Sequence, residues 1–583
     1  MRLNFTIEDL PASPHEGRTD VVDVELPPCT PEEQEIVNPL VPPTSGLRIK
    51  LLERVADGKW VGKASIHALF LRVFQAICEV CGGREGEPME VLLVSDERPT
   101  SQHLLEEAAR IILASGHRLY FQEGGGARSH LSTPYASAAL ALFNQLDLVV
   151  VVTASHNSVD WNGIKFYYKL PIPISGDLMR EVSRKALSYE KVTMLARLPA
   201  DVPTLPVEER NNDYVVNLLD SIIDLRATRG QKVVLWPFWG RAAGITSLLT
   251  RLGVDLEVIQ ENVNPPDPTV MTDVHRNKVV QKMKETGAKL AVLLDADRDR
   301  IVFLIARDGD HYTLSPNELY TAMHNILARD FARKVVNVRT IPSDPRGDGT
   351  SVANYVTGVG YKHLGVVLYL LTKQLEDESQ FTTGILYYKK GEQFFKIDRK
   401  EAVFEPVNAA IESGRIQTGD TLVFVLWEES GGHTFNLLSL DGTDPPRLSS
   451  KFPIVGDKTP AAAICVLAEL VYRGYDLDEW VDRSIVSHRE EIHAQDREKL
   501  AIMEKFKGLV GSKFEAGGRA YEVFAFSDNG GELETVGLRS ESSVLYFRPS
   551  GTGPAIRIYI FGDASTYAEE IAAVKREIEE KFK

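Results

Sequence analysis

Short, largely apolar runs recur along the chain, at 91–94, Leu148–Val152, 233–236, Leu290–Leu294, 301–305, 335–338 and 421–426. A run of that length without polar alternation marks a strand buried on both faces. Helix-type segments lie between the runs, which predicts βα units and mostly parallel sheets. Several units in succession predict α/β layers repeated in more than one domain. Near residue 478 the pattern changes to a charged helix, short strands at 544–547 and 557–561, and an amphipathic helix from about Ser565. That end is expected to be α+β. Residues 1–40 are rich in Pro and acidic side chains, lack periodicity and are expected to form an extended arm. PADVPTLP at 199–206 reads as a linker and DGTDPP at 441–446 as a loop.

Composition narrows the class. At 583 residues, 43% hydrophobic, the chain can build about four domain cores and is not a disordered or low-complexity protein. Its 82 acidic against 66 basic residues give a formal charge of −16, which disfavours nucleic acid as a general partner. An anionic substrate then needs a local site of gathered Arg and Lys. The four cysteines, Cys29, Cys78, Cys81 and Cys465, are too few for a disulfide framework. Cys78 and Cys81 have redox or zinc spacing but end an apolar helical run, so buried thiols are the expectation. The opening MRLNFTIEDL has no apolar stretch, and runs such as 146–152 stop well short of a bilayer span. The expectation is a cytoplasmic protein with no membrane partner.

Chemistry-bearing residues follow several of the apolar runs. Thr153-Ala-Ser155-His156-Asn157 delivers a serine from the end of a buried strand, with Lys165 ten residues later. A serine hydroxyl needs a base or a metal to act as a nucleophile; adjacent side chains diverge, so spacing alone makes His156 a doubtful base. Asp295, Asp297 and Asp299 alternate at the end of another strand. Mutually repelling carboxylates are gathered for a hard divalent cation such as Mg²⁺. An EF-hand fails here, because its sixth and twelfth positions are Arg300 and Ala306. A DxD phosphatase loop fits poorly, because Asp299 stands where Thr or Val is expected. Arg548-Pro-Ser550-Gly551-Thr552 offers backbone N–H groups and a guanidinium to a phosphate, or is a hairpin turn. Glu428-Glu-Ser430 could take sugar hydroxyls, or be a solvated turn. Together these parts suggest phosphoryl transfer.

The combination resembles the α-D-phosphohexomutase superfamily, which includes phosphoglucomutase and phosphomannomutase. TSGLR at Thr44–Arg48, Asp96-Glu-Arg98-Pro-Thr-Ser101, Ser132-Thr133-Pro134, TASHN at 153–157, NGIK at 162–165, Asp295 to Arg300, Gly360-Tyr-Lys362, Glu428-Glu-Ser430-Gly and RPSGT at 548–552 follow the family's order. The resemblance implies four domains around a central cleft, three of similar α/β topology and a C-terminal α+β domain. After the arm, domain 1 is expected over 41–207 with the phosphoserine loop, and domain 2 over 208–306 with the metal loop. Domain 3 is expected over 307–478 with the sugar-binding loop, and domain 4 over 479–583 with the phosphate-binding loop.

The resemblance also implies an isomerase of carbohydrate metabolism that interconverts hexose 1- and 6-phosphates, glucose above all. Ser155 would carry the phosphoryl group. Mg²⁺ would be held by Ser155, Asp295, Asp297 and Asp299, and a sugar bisphosphate would serve as activator. Lys165, with a pKa depressed by Arg48 and Arg300, would move the hydroxyl proton; Arg48 would stabilise transferred charge, and His156 lies beside the nucleophile. Glu428 and Ser430 would hold sugar hydroxyls. Arg548, Ser550, Gly551 and Thr552 would grip the distal phosphate, with Lys362, Lys458 and Arg557 as further contacts. Ser158, Arg298, Trp427, Gly553 and Ala555 depart from the family pattern. Trp427 is expected to narrow the sugar pocket and Arg298 to add charge beside the carboxylates. These departures leave open a catalytically weak sugar-phosphate-binding or regulatory protein; a third reading is a phosphatase with Asp295 as nucleophile.

Overall fold

The computed structural model describes residues 3–39, 46–82, 87–124, 129–174, 176–375, 385–443, 447–527, 533–550 and 554–582. The chain divides into two compact units. One comprises Met1–Pro39, Ser45–Thr313 and Phe452–Tyr475; the other comprises Leu40–Thr44, Leu314–Lys451 and Asp476–Lys583. The fold is multi-domain α/β, with the main sheets following one another along the sequence.

In the first unit, a six-stranded sheet runs in the order Thr204–Leu205, Arg118–Gln122, Glu90–Ser95, Leu148–Val152, Trp161–Tyr168, Leu47–Lys50. Leu148–Val152 is wholly buried and parallel to Glu90–Ser95, as its unbroken apolar run requires. Trp161–Tyr168 then returns antiparallel to it. A five-stranded sheet repeats the arrangement. Lys232–Pro237 and Leu290–Leu294 are parallel, and Ile301–Arg307 returns antiparallel. This sheet continues to Asp310–Tyr312, past residue 306.

In the second unit, a seven-stranded sheet pairs Lys334–Thr340 with Thr421–Trp427 in parallel, and His433–Leu440 returns antiparallel. The last sheet is wholly antiparallel, from Ile485–His493 to Ala555–Asp563, with helices Asp496–Lys507 and Tyr567–Lys581 against it. Every apolar run singled out above is a strand. The three runs that carry chemistry, however, are each followed by an antiparallel strand rather than a helix, so their polar loops are hairpin turns.

The N-terminal residues expected as an extended arm include strands paired into the first unit. Phe5–Ile7 pairs with Trp60–Gly62, and Val21–Glu25 with Lys191–Leu195. Helix Pro31–Val37 starts with a capping box in which the Thr30 side chain accepts from Glu33 N while Glu33 accepts from Thr30 N. Helix Ala64–Cys81 has 18 residues with a mean hydropathy of 1.4, long and apolar enough to cross a membrane. It exceeds the run length read from the sequence, but most of it is buried in the first core, against Ser101–Ala114 and the sheet. Cys78 and Cys81 are buried there as free thiols, and burial pushes the Cys78 thiol up to about 12.

Candidate active site

Ser155 occupies the hairpin between Leu148–Val152 and Trp161–Tyr168, fully buried, with φ of 55°. A non-glycine residue in the left-handed region needs surrounding support. A hydrogen-bonded frame supplies it. Asp96 accepts from Arg98 Nε at 2.8 Å, Ser101 Oγ at 2.7 Å and Thr153 Oγ1 at 2.7 Å. Thr153 Oγ1 accepts from Ser155 N at 2.8 Å, and the Arg98 guanidinium donates to the carbonyls of Ser155 and Ser158. Asn162 Nδ2 ties the returning strand to Thr100 and Ser101. In this turn Ser155 Oγ lies 3.2 Å from His156 Nδ1 and 3.3 Å from Asp295 Oδ2. The expectation that the side chains of Ser155 and His156 diverge is therefore corrected; the left-handed backbone at Ser155 accompanies their approach. Burial, together with Arg300 and Arg48, holds His156 neutral.

The carboxylate turn joins Leu290–Leu294 to Ile301–Arg307. One oxygen from each of Asp295, Asp297 and Asp299 lies within 4.8 Å of the others. Asp295 Oδ1 accepts from the backbone N–H groups of Asp299 and Arg300 at 3.0 and 3.1 Å. Thr133 Oγ1 donates to Asp297 Oδ2 at 2.7 Å. Asp297 Oδ1 and Asp299 Oδ1 are buried without a hydrogen-bond partner. Burial first, then Asp297 and Asp299, raise Asp295 well above the usual carboxylate range. A convergent, all-oxygen set with orphaned buried acceptors fits a hard divalent cation, Mg²⁺.

Lys165 bridges the other side of this set, with Nζ 2.7 Å from Asp297 Oδ2 and 3.0 Å from Asp299 Oδ2. Its burial lowers its pKa, but attraction to Asp297 and Asp299 outweighs that term and the repulsion from Arg48 and Lys458. The net shift is upward, which overturns the depressed pKa expected from neighbouring cations. Arg48 pairs in register with Gly163 on the returning strand. Its charge is felt at His156 and Lys165. Arg300 Nη1 donates to Asp267 Oδ2 at 3.0 Å. Lys458 lies with these groups, 3.5 Å from Asp299 Oδ2. Arg298 does not add free charge beside the carboxylates. Its Nη2 lies 3.0 Å from Glu97 Oε2 and its Nη1 donates to the Asp295 carbonyl.

The second unit carries the other candidates. Ser430 Oγ donates to Glu428 Oε1 at 2.8 Å in the turn between Thr421–Trp427 and His433–Leu440. Glu429 anchors that turn by accepting from Thr340 Oγ1 and Tyr559 OH at 3.2 and 3.0 Å. Trp427 points inward, fully buried, with Nε1 donating to Asn337 Oδ1 at 2.8 Å; it does not narrow a sugar pocket. Arg548 and Arg557 face each other across a strand pair. Arg548 Nε is buried without a hydrogen-bond partner. Lys362 and Arg548 both depress His363, after its burial, so their charges lie near one another. Lys362 sits in the first turn of helix Tyr361–Leu371, behind Gly360 at φ of 120°. Ser550 is buried. Gly551 and Thr552 lie outside the described residues.

Residues 59–193 match the family phosphoglucomutase/phosphomannomutase, alpha/beta/alpha domain I. Phosphoglucosamine mutase of Thermoanaerobacter sp. (strain X514) is 29% identical over 193 residues, 31% of this chain and 41% of its own length. Phosphoglucosamine mutase of Xylella fastidiosa (strain M12) is 30% identical over 267 residues, 43% of this chain and 55% of its own. Residues 59–193 are thus a domain of the phosphoglucomutase/phosphomannomutase family, and the chain is similar to α-D-phosphohexomutases. It spans about half the length of the curated superfamily members it matches. A phosphoglucomutase/phosphomannomutase family protein from Burkholderia thailandensis shares the fold over 94% of this chain and 97% of its own, at 16% identity and a TM-score of 0.60. The Paramecium pp63/parafusin phosphoglucomutase does so over 96% of each chain, at 14% identity and a TM-score of 0.58.

Ser155, His156, Lys165, the three aspartates, Arg48, Arg300 and Lys458 gather in the first unit. Glu428, Ser430, Lys362, Arg548, Ser550 and Arg557 belong to the second. Asp96, Arg98 and Thr133 were legible as motif residues but carried no assigned role. Asp267 and Glu97 pair the two arginines of the carboxylate turn; Asp267 stands in no motif, and Glu97 lies inside the Asp96–Ser101 segment without an assigned role.

Proposed function

We propose that the protein is a phosphohexomutase that interconverts hexose 1-phosphate and hexose 6-phosphate through a phosphoserine at Ser155 and a bisphosphate intermediate. The observation that carries this reading is the hydrogen bonding of a buried serine hydroxyl to the carboxylate turn, with Lys165 on the same carboxylates. In the first transfer the P–Oγ bond to Ser155 breaks as phosphorus bonds a sugar oxygen; in the second, the bond from the other phosphorus of the bisphosphate to its sugar oxygen breaks and P–Oγ re-forms. Lys165, in its neutral form, relays the proton of the sugar hydroxyl to the serine oxygen in the first transfer and back in the second, so the proton count of the site is unchanged. Asp295, Asp297, Asp299 and the phosphoserine would hold Mg²⁺. Bound there, Mg²⁺ supplies positive charge to the phosphoryl oxygens and takes up the carboxylate charge that otherwise raises Lys165. Arg48 stabilises the transferred charge. Glu428 and Ser430 hold sugar hydroxyls, and Arg548, Ser550, Gly551, Thr552, Lys362 and Arg557 hold the distal phosphate.

Glucose phosphates are the first substrates to test, with glucosamine and mannose phosphates beside them, because the similar curated proteins are named for glucosamine. A sugar bisphosphate serves as activator, and the cytoplasm is the proposed location. Both oxygens of Asp295 are engaged by donors, which argues against Asp295 as a phosphatase nucleophile. The inward Trp427 and the Glu97-paired Arg298 remove two reasons for a merely binding protein. Intact mass should show one phosphoryl group, lost in Ser155→Ala. A coupled assay with Mg²⁺ and trace bisphosphate should show isomerisation of at least one of the hexose phosphates, glucose, mannose or glucosamine 1-phosphate, with pentose 1-phosphate as the comparison. Turnover of no hexose phosphate sinks the proposal.

A further inference from the structure

Away from the serine and carboxylate turns, two helices of the first unit hold a separate set of ligand-type side chains. His67 lies in Ala64–Cys81, and His103 and Glu107 lie one turn apart in Ser101–Ala114. His67 Nε2 is 2.7 Å from Glu107 Oε2, and His103 Nε2 is 3.5 Å from Glu107 Oε1. One donor atom from each residue falls within 4.8 Å of the other two. His67 and Glu107 are 4% and 9% exposed, whereas the His103 side chain is 45% exposed. His67 Nδ1 is buried and has no hydrogen-bond partner. A structural ion pair requires one imidazole. Here a buried carboxylate is flanked by two, and one ring keeps an orphaned nitrogen in an apolar helix interface, which costs free energy. The proposed mutase chemistry uses none of the three.

We propose that His67, His103 and Glu107 form a second metal site, which takes a borderline divalent transition cation of the Zn²⁺ type. Two imidazole nitrogens and one carboxylate oxygen are a donor set for such a cation, while the all-oxygen turn suits Mg²⁺. The i, i+4 pair on one helix and the single histidine on its neighbour supply three ligands. The exposed side of His103 provides entry and leaves a coordination position to water. Tetrahedral bonds of about 2.0–2.1 Å require donors roughly 3.3–3.5 Å apart, so His67 and Glu107 open from their 2.7 Å contact as the ion enters. Binding replaces the His–Glu hydrogen bonds. A proton leaves any imidazole that was charged, because only the neutral ring ligates. The ion staples the two helices together. Ser101, which begins the second of them, donates to Asp96 in the frame of the serine turn.

The test uses the full, tag-free, metal-stripped chain in saturating Mg²⁺, so that the carboxylate turn is engaged. Co²⁺ is the spectroscopic probe and Zn²⁺ its competitor. Stoichiometric Co²⁺ should bind with the intense visible bands of a low-coordinate site, be displaced by Zn²⁺, and leave the thermal midpoint raised. His103→Ala, a substitution at a half-exposed position, should weaken Co²⁺ binding by at least about tenfold and abolish the bands. Glu107→Gln should do the same, and Asp297→Asn should retain both. Absence of Co²⁺ binding in Mg²⁺, binding unchanged in His103→Ala, or binding lost in Asp297→Asn overturns the proposal.

Discussion

At the scale of single residues, the site is built from charges that restrain one another. Lys165 is the clearest case: its ammonium is buried and paired with two carboxylates of the metal set. Lys165→Met should therefore have two effects. Activity should fall by about 10²–10⁴-fold, the usual span for a lost acid–base group. Thermal stability should drop in chelator, because buried Asp297 and Asp299 lose their cation, and should be recovered more steeply by Mg²⁺ than in the parent. A Mg²⁺-independent loss would count against the carboxylate pairing. Glu208 offers a pH prediction. Burial, and then the charge of Glu97, push its carboxyl up to about 7. A raised folded-state pKa means the folded chain holds a proton that the unfolded chain has already lost. Stability from this group is thus fully present below about pH 4.5 and falls as pH rises towards 7. Glu208→Gln should flatten that part of the midpoint-against-pH curve; an unchanged curve refutes the assignment.

At the scale of elements, the same device appears three times. A buried strand with a parallel neighbour ends, and an antiparallel strand returns on its other side, with a polar turn between them. Ser155, the aspartates and Glu428 each sit in such a turn. The buried strands were legible because unbroken apolar runs permit little else. The returning strands were read as parts of βα units, because apolar runs such as Leu290–Leu294 do not say in which direction the next strand runs. The N-terminal strands were missed for another reason. Phe5–Ile7 and Val21–Glu25 are short and alternate weakly, and their partners lie far along the chain. The Thr30–Glu33 capping box was visible and passed over. In the site, residue types with unusual chemistry were legible, whereas the frame that orients them was not, since Asp96 and Arg98 act through contacts more than 50 residues away. That frame is testable. Asp96→Asn removes the charge that Arg98 pairs with in a fully buried setting, and should lower stability by about 3–5 kcal/mol. A shift below about 1 kcal/mol in denaturant unfolding would show that the pair is dispensable.

At the scale of the whole molecule, a formal charge of −16 coexists with a functional set rich in Arg and Lys. The body repels anions at long range, so the proposed capture of a sugar phosphate would depend on locally concentrated cations such as Lys362, Arg548 and Arg557. The candidate machinery is also divided: the serine and carboxylate turns belong to one unit, the sugar and phosphate contacts to the other. These facts predict a separation of kinetic effects. Arg548→Met removes a buried guanidinium whose Nε has no protein partner, and hence one suited to a substrate phosphate. Its KM for hexose phosphate should rise about 10–100-fold, the equivalent of about 1.5–3 kcal/mol for a charge-assisted hydrogen bond. Its stabilisation by Mg²⁺ should match the parent, because the carboxylate turn is untouched. Asp297→Asn should do the reverse, losing the Mg²⁺ effect and most of kcat. Rising ionic strength should increase KM in the parent more than in Arg548→Met, since screening removes an attraction that the variant already lacks. Equal salt slopes in the two proteins, or a loss of the Mg²⁺ effect in Arg548→Met, would contradict the assignment of Arg548 to substrate phosphate.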